Sequence, residues 1–160
     1  LHAYGFHRRL LEKFVEQHFP SRLIVRLPGL VGPGLRKNVI FDFLNNNNLH
    51  AIESRGVFQF YPMVNLWFDI QKALEAGLSL VHLTAEPISV SDVSFLGFGK
   101  PFTQTLANPP PRYDMRTLHA QIFGSPAGQH QYSARETIHA IRAYAQSEPV
   151  TLKSEHGESL

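Results

Sequence analysis

Residues Arg22 to Leu27 read Arg-Leu-Ile-Val-Arg-Leu, a short run with a β-branched, apolar centre. Such a run is a strand that needs sheet neighbours on both sides, which places the chain in the α/β class. Before it, Phe6, Leu10, Leu11, Phe14 and Val15 recur at helical spacing from Tyr4 to about His18. Phe19-Pro20-Ser21 ends that helix, because proline disfavours helical geometry in the residue before it.

Helices and strands alternate downstream. The pattern predicts a short helix from Asn38 to about Leu44, closed by the asparagines 45 to 48, which tolerate left-handed geometry. A strand over Val57 to Tyr61 leads into a helix from Asn65, read as its cap, to Glu75, with Gly77 beyond it. A further strand covers Leu78 to Leu83, and Ser89-Val-Ser-Asp92 is a capping box opening a helix through about Leu96. Pro28-Gly29 and Gly32-Pro33-Gly34 read as a turn-rich connection, and Gly97 to Arg112 as loop. The last two helices are predicted from Asp114, read as a cap, to Phe123-Gly124, and from the capping box Ser133-Ala-Arg-Glu136 to about Ala145. Three or four strands are too few for a doubly wound sheet covered on both faces. The remaining strands are expected upstream of Leu1 or from another chain, and the start without Met agrees with this.

Composition excludes several classes. With 43% hydrophobic and 18% charged residues among 160, the chain is globular and of ordinary domain size. Its densest apolar stretch, Val57 to Leu66, is broken by Gln59, Pro62 and Asn65, so no membrane span is expected. The absence of cysteine rules out thiolate chemistry and suits a cytoplasmic location. A net charge of +2, with Arg8-Arg9 and Arg36-Lys37 as isolated basic pairs, is no nucleic-acid footprint. The nine histidines form neither His-x-His nor His-Glu-x-x-His, so no metal is expected. The aromatic residues Phe58, Phe60, Tyr61, Trp67 and Phe68 read as core.

A set of motifs occurs in order. Tyr4-Gly5-Phe6-His7-Arg8, with Glu12 beyond, is followed by Arg26-Leu-Pro-Gly-Leu-Val-Gly-Pro-Gly34, then by Lys37-Asn-Val-Ile40, Met63-Val-Asn-Leu66, Ser89 to Val93, and the Asp114 to Ala145 ending. This order resembles the carboxyl-terminal half of extended short-chain dehydrogenase/reductases of the NAD(P)-dependent epimerase/dehydratase type. The family's Gly-x-x-Gly-x-x-Gly turn, which wraps the cofactor pyrophosphate, is missing.

The resemblance implies a partial Rossmann-like sheet with a small mixed α/β substrate-binding region. Residues 1–35 would end the nucleotide-binding domain, 36–148 would form the substrate-binding region, and 149–160 a flexible tail. It implies an NAD(P)-dependent sugar epimerase, dehydratase or reductase, with nucleotide sugars as one candidate substrate class. Tyr4 would be the proton acid/base, with Arg8 beside it and near the nicotinamide ribose. Pro28, Gly29, Leu30 and Val31 would lie near the cofactor, and Asn38, Val39 and Gln59 near a sugar-like substrate. NAD or NADP would belong to the full-length protein, with no tight binding to these residues alone. The implied partners are the missing amino-terminal half and a second copy through the first helix.

Three departures matter. Position 8 is Arg where the family has Lys; a guanidinium favours a phenolate but cannot join a proton relay as an ammonium can. A free tyrosine titrates near ~10 and needs such help. Gly29 stands where the family often has Asn, and the arginines that clamp a pyrophosphate are displaced to Arg55 and Arg112. A non-catalytic binding or assembly module derived from the family is therefore the alternative.

Overall fold

The computed structural model describes residues 3–125 and 128–151. Most of the tail expected at 149–160 lies outside the described residues. Helix α1 (Ala3–His18) leads to strand β1 (Ile24–Arg26), and strand β2 (Gly29–Val31) follows at once. Helix α2 (Val39–Asn45) comes next, then strands β3 (Val57–Phe58) and β4 (Phe60–Pro62). Helix α3 (Leu66–Glu75), strand β5 (Leu80–His82) and strand β6 (Ile88–Ser89) complete the middle of the chain. Helix α4 (Val90–Asp92) runs into a π-helical turn over Val93–Gly97, and helix α5 (Ala134–Ser147) closes the fold. No helix among the described residues is long and apolar enough to cross a membrane.

The strands form three short pairs. β1 lies parallel to β5, β2 parallel to β4, and β3 antiparallel to β6. Parallel pairing requires a crossover connection; α2 lies in the one between β2 and β4, and α3 ends the longer one between β1 and β5. Two apolar clusters result. Tyr61, Ala73, Val81 and Leu83 gather the β1–β5 pair and α3, so residues 66–83 pack with β1. Val31, Ile40, Phe60, Ile88 and Val93 meet Ile138, Ile141 and Tyr144 of α5 in the other cluster. Gly97 admits this packing, since a Cβ there would stand 2.5 Å from Ile141 Cγ2.

Local chemistry accounts for the helix ends. Ser133 and Glu136 form a complete capping box at α5, and the Ser89 hydroxyl accepts from Asp92 N–H at α4. Asn38 caps α2 by accepting from Ile40 and Phe41, and Asn46 ends it in left-handed geometry. Other expectations give way to longer-range contacts. Asn65 makes no cap, because the chain enters α3 through a 3-10 turn at Met63–Asn65. The helix expected from Asp114 is only a 3-10 turn over Ala120–Phe123, since Asp114 binds Arg116 and His130 instead of capping. Gly29 to Val31 is strand, not turn, because β4 offers it a partner. Trp67 and Phe68, expected in the core, are 69% and 59% exposed, because α3 turns Asp69 and Ala73 inward.

The strand expected over Val57 to Tyr61 is split at Gln59 between two sheets. Gln59 is buried, and its carboxamide substitutes for the lost strand partners. Nε2 donates to Ala85 O at 2.6 Å and Met115 O at 2.8 Å, while Oε1 accepts from Met115 N–H at 2.6 Å. Gln59→Leu leaves those three backbone groups unpaired and is expected to lower stability by about 2–4 kcal/mol in urea unfolding.

Helix α1 buries no residue fully. It is held to β1 by Glu12, whose carboxylate accepts from Arg26 Nη2 at 2.6 Å and Nε at 2.8 Å. The Arg26 hydrogen bonds push the Glu12 carboxyl down to about 2. A depressed carboxyl stabilises the fold above its ordinary pKa, and that contribution fades as pH falls from about 4.5 toward about 2. Glu12→Gln is expected to cost about 1–2 kcal/mol at neutral pH. In urea titrations across pH, the gap from the parent chain should close over that acid window.

Candidate functional site

Two adjoining cavities lie where β1 ends. One, of about 720 Å³, is lined by Tyr4, Arg8 and Glu12 of α1, by β1, and by Leu27, Pro28 and Leu30. The other, of about 540 Å³, is lined by Pro28, Gly29, Asn38, Val39 and Gln59, with Phe58, Phe60 and Tyr113 as aromatic walls. Leu27, Pro28 and Met115 belong to both. Both volumes suit a small organic ligand.

Tyr4 and Arg8 lie one helical turn apart on the face of α1 that looks onto β1. The Arg8 guanidinium carbon stands 5.1 Å from the centroid of the Tyr4 ring, a cation–π contact. Glu12, the next turn along, fixes the helix to Arg26, and Arg26 Nη1 donates to His82 Nε2 at 3.1 Å. Burial pushes the His82 imidazole below its ordinary pKa, and the Arg26 charge adds to this, so the ring stays neutral as an acceptor. The cavity floor thus carries a closed set of charges beside the phenol.

Two other tyrosines are disqualified as proton acceptors. Tyr61 and Tyr132 both donate to Asp69 Oδ2, at 2.6 and 2.8 Å. Burial first, and the hydrogen bond to Asp69 second, hold both phenols far above their ordinary pKa. They serve as a buried clasp between β4, α3 and the segment before α5.

The residues named from sequence fall in different places. Tyr4, Arg8, Pro28 and Leu30 line the first cavity; Pro28, Gly29, Asn38, Val39 and Gln59 line the second. Val31 lines neither, because its side chain is 1% exposed in the core. Gln59 faces the second cavity, but its carboxamide is spent on backbone groups. Gly29 leaves no room for the asparagine of the resemblance, since a Cβ would stand 2.8 Å from Gln59 O. Arg55 is paired with Glu53, and Arg112 is exposed; neither lines these cavities. Sequence reading missed Phe58, Tyr113 and Met115 as cavity walls. Phe58 was legible as aromatic, but no periodicity distinguishes an aromatic wall from core.

No protein-family model matches the chain. No curated protein matches it in sequence either. Solved structures do match in fold. The enzyme WbmG of Bordetella bronchiseptica, in complex with NAD, superposes with a TM-score of 0.66 at 20% identity, over 92% of this chain and 51% of its own. A UDP-galactose 4-epimerase gives 0.56 at 17% identity, over 86% and 49%. The dTDP-glucose 4,6-dehydratase of Bacillus anthracis, in complex with NAD, gives 0.57 at 10% identity, over 87% and 48%. The chain spans about half the length of these structures. Its fold is accordingly that of about half of an NAD-dependent epimerase/dehydratase, so the resemblance to extended short-chain dehydrogenase/reductases that its residue order carries holds at the level of the fold.

Proposed function

We propose that these residues are the substrate-side portion of an NAD(P)-dependent sugar epimerase, dehydratase or reductase. The observation that carries the reading is the shared lining at Leu27, Pro28 and Met115. It sets the cavity of Tyr4 and Arg8 directly against a second cavity of ligand size. Tyr4 accepts the proton of a substrate hydroxyl when the adjoining carbon is oxidised, and returns it to the oxygen on reduction. Arg8 keeps a positive charge against the phenol face and offers N–H donors to ribose hydroxyls. Glu12 and Arg26 hold the helix so that Tyr4 keeps its place against β1. A bound nicotinamide dinucleotide supplies the hydride acceptor or donor.

The donor set fits the nicotinamide end of such a cofactor: a phenol, a cation and the apolar exit of a strand. It does not fit the pyrophosphate, for which the chain has no glycine-rich turn. The amino-terminal half of the enzyme would hold that group. A second reading, a binding or assembly module without catalysis, draws support from the Arg8 guanidinium lying over the Tyr4 ring.

Calorimetric titration of the 160-residue chain with NAD⁺ or NADP⁺ is expected to give dissociation constants weaker than ~100 μM, for want of phosphate-binding backbone. Low-micromolar affinity would overturn the division of the cofactor site. In the full-length protein, Tyr4→Phe is expected to lower turnover by about 10²–10⁴-fold, and Arg8→Lys to preserve it. Unchanged turnover in Tyr4→Phe would overturn the assignment of Tyr4 as the acid/base.

A further inference from the structure

The cavity bounded by Phe58, Tyr113 and Met115 has the wrong chemistry for a phosphate ester. None of its described lining residues carries a charge. Its walls are Leu27, Val39, Phe58, Phe60 and Met115, with the Tyr113 ring stacked on Phe58 at 5.6 Å between centroids and 25° between planes. Two phosphates brought onto such walls would lose their hydration without a cation to replace it.

Three guanidinium groups nearby are committed elsewhere, while Arg8 lies over the Tyr4 ring and Arg112 is outside the lining of this cavity. Arg116, next to Met115, donates to Asp114 and Gln129, and Arg55 donates to Glu53 and Leu106 O. Arg26 is held by Glu12 in the first cavity. The polar capacity left on the walls is slight. Gln59 has given both amide hydrogens to Ala85 and Met115. Asn38 gives one amide hydrogen to Leu30 O and uses its oxygen as the α2 cap. Its second N–H and the Tyr113 hydroxyl can meet one hydroxyl or carbonyl, but not a diphosphate.

We infer that this cavity binds an uncharged, phosphate-free cyclic alcohol or ketone, whose apolar ring face lies against Phe58 and Tyr113 and whose oxygen points toward the Leu27–Pro28 side that opens on Tyr4. This rests on the proposed function, and it narrows the substrate away from nucleotide sugars. The flat aromatic pair recognises a ring face, and the shared wall at Met115 sets how deep that ring sits.

The chain's two methionines make the test direct, because Met115 lines the cavity while Met63 packs near Gly32. The chain labelled with carbon-13 in its methionine methyl groups is titrated by NMR with 2-tetralone, an uncharged bicyclic ketone, and in parallel with UDP-glucose and UDP. The expected result is a saturable shift of the Met115 signal by 2-tetralone, with Met63 unmoved and with no response to UDP-glucose or UDP at equal concentration. Phe58→Ala should weaken the ketone by about tenfold, and Tyr113→Ala, at an exposed position where folding is not at risk, by about threefold. UDP-glucose or UDP moving Met115 at lower concentration than the ketone would overturn the inference while leaving the sugar-enzyme reading intact. No saturable Met115 shift by the ketone, or equal shifts of both methyls, would also overturn it. Loss of the catalytic reading registers elsewhere, in the turnover of Tyr4→Phe.

Discussion

A strand that leaves one sheet and enters another must find new partners for its backbone, and at Gln59 a side chain provides them. β3 and β4 are separated by this single residue, yet they pair with β6 and β2 in opposite senses. The Gln59 carboxamide presents two donors and an acceptor, which is what a neighbouring strand would have offered to Ala85 and Met115. The segment after β5, the segment around Met115 and the floor of the second cavity are tied together through it. A carboxylate could not donate there, and an aliphatic side chain would strand three polar groups. The fold thus turns on an amide that sequence alone would assign to ligand binding.

Charge pairing carries the second constraint. α1 contributes no fully buried side chain, and Phe6, Leu10 and Phe14 stay about half exposed. What orients the helix among the described residues is the two-pronged Glu12–Arg26 bridge, backed by His82. Under the proposed function, the remaining apolar face of α1 receives the nucleotide-binding half or a second copy, since an apolar helix face of this extent is rarely left to water.

The tyrosines show how environment sorts one residue type into different tasks. Tyr61 and Tyr132 share Asp69 in the interior and are locked as donors. Tyr113 lies on a cavity wall as a flat surface. Tyr4 stands at a cavity edge with a guanidinium over its ring, where a phenol can meet a ligand. Burial and partner charge, not chemical identity, make the difference.

By itself the sequence determined the elements whose hydrogen bonds close within a few residues. The capping box of α5, the Ser89 cap, the Asn38 and Asn46 boundaries of α2 and the helical face carrying Tyr4 and Arg8 were all legible, because each donor and acceptor lies next to its partner in the chain. Tertiary structure alone decided what depends on distant segments. It made Gly29 a strand residue under the carbonyl of Gln59, spent Gln59 on the backbone, buried Val31, exposed Trp67 and set Phe58 against Tyr113 as a wall. Those outcomes rest on contacts between residues far apart in sequence, and local pattern holds no record of which distant surface a side chain will meet.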